Sequence, residues 1–298
     1  MDKRIKEAVM EKVIQPDVAR QIFELRDEKV IRRVYKKLEE HKKFNKHFKN
    51  VVKSAQESEE RSLKMQPKFM RLRELMEQDI NLSTVWNFGL RENYAGDSDF
   101  HGNSPTQIVE HCVLLHTNEG DTVLDPMVGS GTSIDVCNEL NRKIIAYDIN
   151  PTRKEIIKND SRKIPLDKES VDMVFIHPPY WNLVKYSNDS EDLSKVDSLN
   201  SFLNEMKKVF SECKRVLRKN KFMCVLIGDM VRKGEFMPIS RKLAEIIEEA
   251  GFKDYGYAVK ITSGSQSRAV KGKVLKAELV HTKNLEINHD VVMFWRKV

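Results

Sequence analysis

Two carboxylates in this sequence each close a short apolar run. Asp125 ends Thr122-Val123-Leu124 and leads into Pro126-Met127-Val128-Gly129-Ser130-Gly131-Thr132. A Gly-x-Gly turn that opens a helix lets the backbone come close to a ligand. An acid before such a turn repels a pyrophosphate and suits a cationic ligand. The turn is not the dinucleotide pattern, because Ile134 stands at the third glycine position, and it has no P-loop lysine. Asp148 ends Ala146-Tyr147, 17 residues after Gly131. An acid there can accept both hydroxyls of a ribose; alone, it is equally an Asx turn before Pro151. Asp160 reads by itself as a loop acid. The fourth cluster is His177-Pro178-Pro179-Tyr180-Trp181. Two prolines cannot continue a strand ladder and hold the chain extended. They follow the apolar run Val171–Ile176, at the strand end where open α/β sheets bind ligands. Tyr180 and Trp181 add flat faces, although proline turns capped by aromatics are also common in loops.

These groups need a scaffold that brings distant strand ends together. Residues 122–124, 143–147, 171–176, 222–227, 255–261 and 291–295 read as strands. Residues 133–140, 202–217 and 239–250 read as helices, the last stopped by Gly251. Alternating strand and helix predicts an α/β fold, a Rossmann-like, doubly wound, mostly parallel sheet. No clear helix separates the last two strands, so an antiparallel edge hairpin is expected, with residues 263–288 as a long loop between them.

The chain has 298 residues, 33% charged and 40% hydrophobic, with 12 Gly and 9 Pro. This excludes collagen-like, low-complexity and wholly disordered classes. No apolar run approaches the roughly 18 residues of a membrane helix, and the N-terminus lacks a signal-peptide core. Cys112, Cys137, Cys213 and Cys224 form no C-x-x-C pair, so neither a disulfide framework nor a metal site is expected, and a cytoplasmic setting is. The net charge of +7 is unevenly placed. Residues 1–80 hold 21 Lys/Arg against 15 Asp/Glu, net +6; the remainder holds 31 against 30, net +1. Residues 1–80 contain no glycine and show apolar steps of three and four from Ile31 to Val51, with Lys42, Lys43, Lys46 and Lys49 between them. They read as a basic helical arm preceding the helical and stranded body. The arm fits contact with a polyanion, and fits dimerisation or packing nearly as well.

Together, and in this order, the four clusters resemble the S-adenosylmethionine-dependent amino-methyltransferases of DNA, the N6-adenine and N4-cytosine enzymes. The family's D-P-F-x-G-S-G-T motif is similar to Asp125–Thr132, and its D/N/S-P-P-Y/W motif to His177–Tyr180. Phe100-His101-Gly102-Asn103-Ser104-Pro105 is similar to the segment closing the cofactor's methionine side, and Val225–Asp229 and Asn288–Val292 to distal strands. The resemblance covers about 84–298, the expected catalytic domain, and leaves out 1–80. Only 17 residues separate Asp160 from His177, too few for a DNA-reading domain. Target recognition is therefore expected in the N-terminal helices, the 181–199 loop or the 263–288 loop.

The resemblance implies S-adenosylmethionine as cofactor and DNA as partner, with the methyl group passing to the exocyclic amino group of a flipped-out base. It implies that Met127, Gly129, Gly131 and Thr132 shape the cofactor turn, that Asp125 lies near the cationic methionine end, and that Asp148 binds the ribose. Asp160 would accept from the adenine amino group, Ile149 would pack on the adenine ring, and Phe100, His101 and Pro105 would close the methionine side. An exocyclic amino group is a poor nucleophile because its lone pair is delocalised. Two acceptors aimed at its N–H groups favour the pyramidal, attacking form. The side chain at 177 and the Pro178 carbonyl would be those acceptors, with Pro179 holding the turn and Tyr180 stacking on the base. Trp181, Lys42, Lys43, Lys46 and Lys49 would touch nucleic acid. Position 177 departs from the family, which uses Asp, Asn or Ser. A neutral imidazole accepts one hydrogen bond and imidazolium none, so activity is expected to fall as pH drops through about 6.5. The rival readings are an RNA amino-methyltransferase acting on tRNA guanosine N2 and a non-catalytic nucleic-acid-binding homologue. A homodimer through residues 1–80 is a further expectation.

Overall fold

The run Val171-Asp172-Met173-Val174-Phe175-Ile176 is buried at every position, as expected of a strand covered on both faces. Its one charge is compensated. The Asp172 carboxylate accepts from the Thr122 N–H at 3.0 Å and pairs with Arg218 at 2.5 Å and Lys221 at 3.3 Å. Burial pushes its carboxyl up, but those bonds outweigh burial and hold it below the usual range.

The computed structural model describes residues 80–88, 95–97, 103–184, 186–232, 234–261 and 280–298, together with residues 22, 34, 52–57, 71 and 75. The chain divides into two units, Met1–Asp79 and Ile80–Val298. In the second unit the strands are β1 (Val85–Trp86), β2 (Thr122–Asp125), β3 (Lys143–Asp148), β4 (Ile157–Lys158), β5 (Val171–Ile176), β6 (Leu217–Ile227), β7 (Met230–Arg232), β8 (Glu235–Met237), β9 (Phe252–Ile261) and β10 (His289–Lys297). The helices are α1 (Thr106–His116), α2 (Thr132–Glu139), α3 (Leu199–Val216) and α4 (Ile239–Glu249).

Eight strands form one sheet in the order β1-β9-β10-β6-β5-β2-β3-β4, and β7 and β8 pair separately. Only β10 runs against its neighbours, β6 and β9. The expected α/β sheet and antiparallel hairpin are present, with β1 added parallel beyond β9. Alternation along β5 builds both layers. Val174 and Ile176 face a core with Phe202, Met206 and Phe210 of α3 and Leu243 of α4. Met173 and Phe175 face Ile108 and Cys112 of α1 and Val136 of α2. Gly251 stops α4 with a φ of +87°.

The short strands β1, β4, β7 and β8 were not expected, and β6 starts earlier than its apolar run. A register shift between Val171 and Met173 brings Leu217 and then Phe222 opposite β5, so polar residues 218–221 are carried within the strand. Phe100, His101, Lys42, Lys43, Lys46 and Lys49, and most of the 1–80 and 263–288 segments, lie outside the described residues. Among the described residues, no helix is long and apolar enough to cross a membrane.

Candidate active site

The parallel strands β2, β3 and β5 end side by side, and their carboxyl ends open on a cleft of about 970 Å³ measured to its mouth. The turn after β2 needs glycine, since Gly129 and Gly131 have φ of +56° and +90°. Gly131 caps α2, and a Cβ there would lie 2.8 Å from Arg153, which pairs with Asp135.

Asp125 is buried at the end of β2, where it accepts from the Met127 N–H at 3.0 Å and from Ser133 Oγ at 2.6 Å. Burial, with a smaller contribution from the charge of Asp148, pushes its carboxyl up to about 7. Asp148, ending β3, accepts from the Gly129 N–H at 2.9 Å and the Asn150 N–H at 2.8 Å, and burial raises it as well. These two strands are paired, so two carboxyls reluctant to ionise share one cleft. Asp125 has no cationic partner among the described residues. Asp160 differs. Burial would raise it, but Arg162 grips both its oxygens at 2.7–3.0 Å and holds it below the usual range. Arg162 also binds Glu205 at 2.6 Å and Glu191. It thereby ties the Asp160 loop to α3 and to the segment after the proline turn.

His177 follows β5, and both its ring nitrogens have partners: Ser104 Oγ at 2.9 Å from Nδ1 and Tyr180 Oη at 3.3 Å from Nε2. Burial pushes its titration down to about 4; Asp290 opposes that shift and Lys260 adds to it. The expected acid limb near 6.5 is therefore corrected downward, because desolvation disfavours imidazolium.

Of the sequence-predicted residues, Asp125, Met127, Gly129, Thr132, Asp148, Ile149, Asp160, His177, Pro178 and Pro179 line the cleft. Gly131 shapes the turn and Pro105 precedes α1 as its cap. Tyr180 and Trp181 do not line it. Tyr180 donates to Asp290 at 3.3 Å and lies over Gly228, where a Cβ would be 2.8 Å from its ring. Trp181 donates to the Val196 carbonyl at 2.9 Å, packs on the core and carries the Arg232 guanidinium 4.8 Å over its ring. Its face is thus covered rather than offered.

Several site residues were not singled out from the sequence. Asn103 accepts from Ser130 Oγ at 2.9 Å and Thr132 Oγ1 at 2.6 Å, clamping the segment before α1 to the glycine turn. Ser104 contacts His177, and Glu191 and Asp192 add acidic groups to the lining. Asn103 and Ser104 stood inside a quoted motif, and their polarity next to the cap of a helix was the available signal.

The sequence model of the family N6_N4_Mtase, DNA methylase, matches residues 12–159 and 171–297. The chain belongs to this DNA methylase family. The match begins at residue 12, so most of the N-terminal segment falls inside the family, which corrects the narrower extent drawn from the motifs. Type II methyltransferase M.Cfr9I of Citrobacter freundii is 37% identical over 79 residues, covering 26% of this chain and 25% of that protein. Type II methyltransferase M.HpaI of Haemophilus parainfluenzae is 33% identical over 162 residues, covering 47% and 49%. The chain thus spans about half, or less, of the length of these relatives. Among solved structures, a SAM dependent methyltransferase from Archaeoglobus fulgidus shares 14% identity with a TM-score of 0.42, over 64% of this chain and 94% of that one. Within the family assignment, the glycine turn, the paired carboxyls and the proline turn occupy one cleft rather than three.

Proposed function

We propose that this chain uses S-adenosylmethionine to methylate the exocyclic amino group of adenine (N6) or cytosine (N4) in DNA. The observation that carries the reading is that the His177-Pro178-Pro179 turn opens on the same cleft as Asp125 and Asp148. Membership of the DNA methylase family supplies the substrate class, and the relatives named as Type II methyltransferases suggest a role beside a restriction enzyme.

The residues fit the cofactor. Asp125 is a buried carboxyl raised to about 7, and a cationic ligand would lower it and gain a charge-assisted bond. Asp148 keeps lone pairs for ribose hydroxyls beside its two backbone bonds. Ile149 supplies an apolar surface for the adenine ring, and Asp160, already oriented by Arg162, supplies an acceptor for its amino group. When bound, the cofactor supplies a methyl group on a cationic sulfur. The Pro178 carbonyl and His177 accept from the target amino group and so favour the lone-pair geometry that attacks. Neutral His177 is the form that can do this, and burial maintains that form. The target base must leave the duplex to reach a cleft at a strand end. The basic residues of 1–80, Lys42, Lys43, Lys46 and Lys49 among them, would supply phosphate affinity.

The test is incubation with methyl-labelled cofactor and separate DNA and RNA pools, followed by nucleoside analysis. The expected product is N6-methyladenine or N4-methylcytosine in DNA, and the nucleoside found decides between them. Label confined to RNA, or cofactor binding without transfer to either pool, overturns the reading.

A further inference from the structure

A line of polar side chains runs behind the proline turn. Ser104 Oγ is 2.9 Å from His177 Nδ1, and His177 Nε2 is 3.3 Å from Tyr180 Oη. Tyr180 Oη is 3.3 Å from Asp290 Oδ1, and Lys260 Nζ is 3.4 Å from Asp290 Oδ2. The members come from the segment before α1, the proline turn after β5, the start of β10 and the end of β9. Residues 73 and 110 positions apart are thereby joined.

The chemistry of these groups gives the line a direction. The Asp290 carboxylate, paired with Lys260, has only lone pairs to offer. Tyr180 has one hydroxyl proton and donates it to Asp290. Its oxygen can then only accept from His177, so Nε2 carries the hydrogen. A neutral imidazole has one N–H, which leaves Nδ1 as a lone pair. The Ser104 hydroxyl, 2.9 Å away, is then the donor to it. Ser104 and His177 both line the cleft.

We infer that Asp290 is a positioning residue for His177. Acting through Tyr180, it holds the ring as the Nε2–H tautomer and keeps the Nδ1 lone pair on the cleft side as the acceptor for the target amino group. The inference rests on the methyltransferase reading for the identity of that amino group. The tautomer itself follows from the line alone. Ser104 then marks the place of the donor: its hydroxyl rotates away and the substrate N–H takes over the bond. This explains how His stands where the family uses Asp, Asn or Ser. An imidazole serves as acceptor only if the bare nitrogen is the one at the cleft, and a carboxylate two bonds further on enforces that. Among the described residues, the charged groups acting on the ring are Asp290 of β10 and Lys260 of β9, with opposite effects.

The test is ¹⁵N NMR of histidine-labelled protein at neutral pH, with the His177 signals assigned by their loss in His177→Asn, alongside single-turnover methylation. Wild type should show His177 as Nε2–H. In Asp290→Asn the amide oxygen turns to Lys260 and the NH₂ to Tyr180, which reverses the line. His177 should become Nδ1–H, and kcat should fall at least about tenfold, as wrong-tautomer variants do elsewhere, with cofactor Kd unchanged. Asp290→Glu should restore the Nε2–H form and part of the rate. A wild-type Nδ1–H ring, or an Asp290→Asn protein with unchanged tautomer and kcat, overturns the inference. If Asp290→Asn does not fold, the wild-type tautomer decides. A tautomer that flips in a protein that never methylates DNA supports the positioning role and sinks the methyltransferase reading, so the two failures are distinguishable.

Discussion

Burial acts on Asp125 and His177 in the same way, against the charged form, and so moves their titrations in opposite directions, to about 7 and about 4. The two should appear in different kinetic constants. With cofactor saturating, kcat is expected to be flat from about pH 5 to about pH 8, because His177 stays neutral throughout. The ratio kcat/KM for the cofactor should climb and level off above about pH 7, because a cationic ligand needs Asp125 ionised. Below that pH, cofactor binding should release a proton, measurable as a buffer-dependent heat. A cofactor KM indifferent to pH between about 6 and 8 would contradict the role of Asp125. Stability runs the other way. Asp125 is raised from 3.8 to about 7, so its contribution to ligand-free stability is fully present below 3.8 and is lost as pH rises through about 7. His177, lowered from 6.5 to about 4, contributes above 6.5 and loses it as pH falls through about 4. Asp125→Asn can keep both hydrogen bonds, since Ser133 Oγ also accepts. It should therefore raise stability above about pH 7 by on the order of a kcal/mol, read as a higher Tm, and weaken cofactor binding about ten- to a hundredfold. Thermal melts and calorimetry on one sample measure both, and a variant that loses stability without losing affinity reverses the assignment.

At the element scale, Gly228 directly follows β6, where the proline turn and β10 meet. A Cβ there would lie 2.7 Å from Asp290 Oδ1 and 2.8 Å from the Tyr180 ring, so Gly228→Ala must push them apart. We expect kcat to fall about tenfold with cofactor KM unchanged. Phe210→Ala on α3 is the contrasting change. It removes a fully buried ring of the core, should cost about 3–5 kcal/mol, and should leave activity per folded molecule as it was. Urea melts with active-site titration separate the two outcomes. The same elements show what the sequence made legible. Residues 171–176 were readable because both faces of β5 are covered and the apolar run is continuous. β1, β7 and β8 were not, because two or three residues carry no period. β1 exists because β9 lies beside it, with Val85 opposite Val259. Asp125 and Asp148 were readable because each ends a strand. Asp290 was not, because its partner Tyr180 is 110 residues away and no local spacing encodes that approach.

On the scale of the whole chain, the cleft and the net charge point to different partners. Asp125, Asp148, Asp160, Glu191 and Asp192 all line the cleft, so its field attracts a cation and repels phosphate. Residues 81–298 carry a net +1 in total, which leaves that part of the chain little general attraction for a polyanion. The excess of +6 in residues 1–80 is then the available source of counterion release on DNA. If Lys42, Lys43, Lys46 and Lys49 each neutralise one phosphate, exchanging all four for Gln should reduce the slope of log K against log salt by up to about 3–4, since each contact contributes about 0.9. Affinity at low salt should drop for every DNA sequence alike, because phosphate contacts carry no base information. Cofactor Kd should not change. Fluorescence anisotropy with a duplex over a salt series reads the slope directly. A slope identical to wild type would assign those lysines to packing or dimerisation, and phosphate affinity would then have to come from basic residues of the catalytic unit itself.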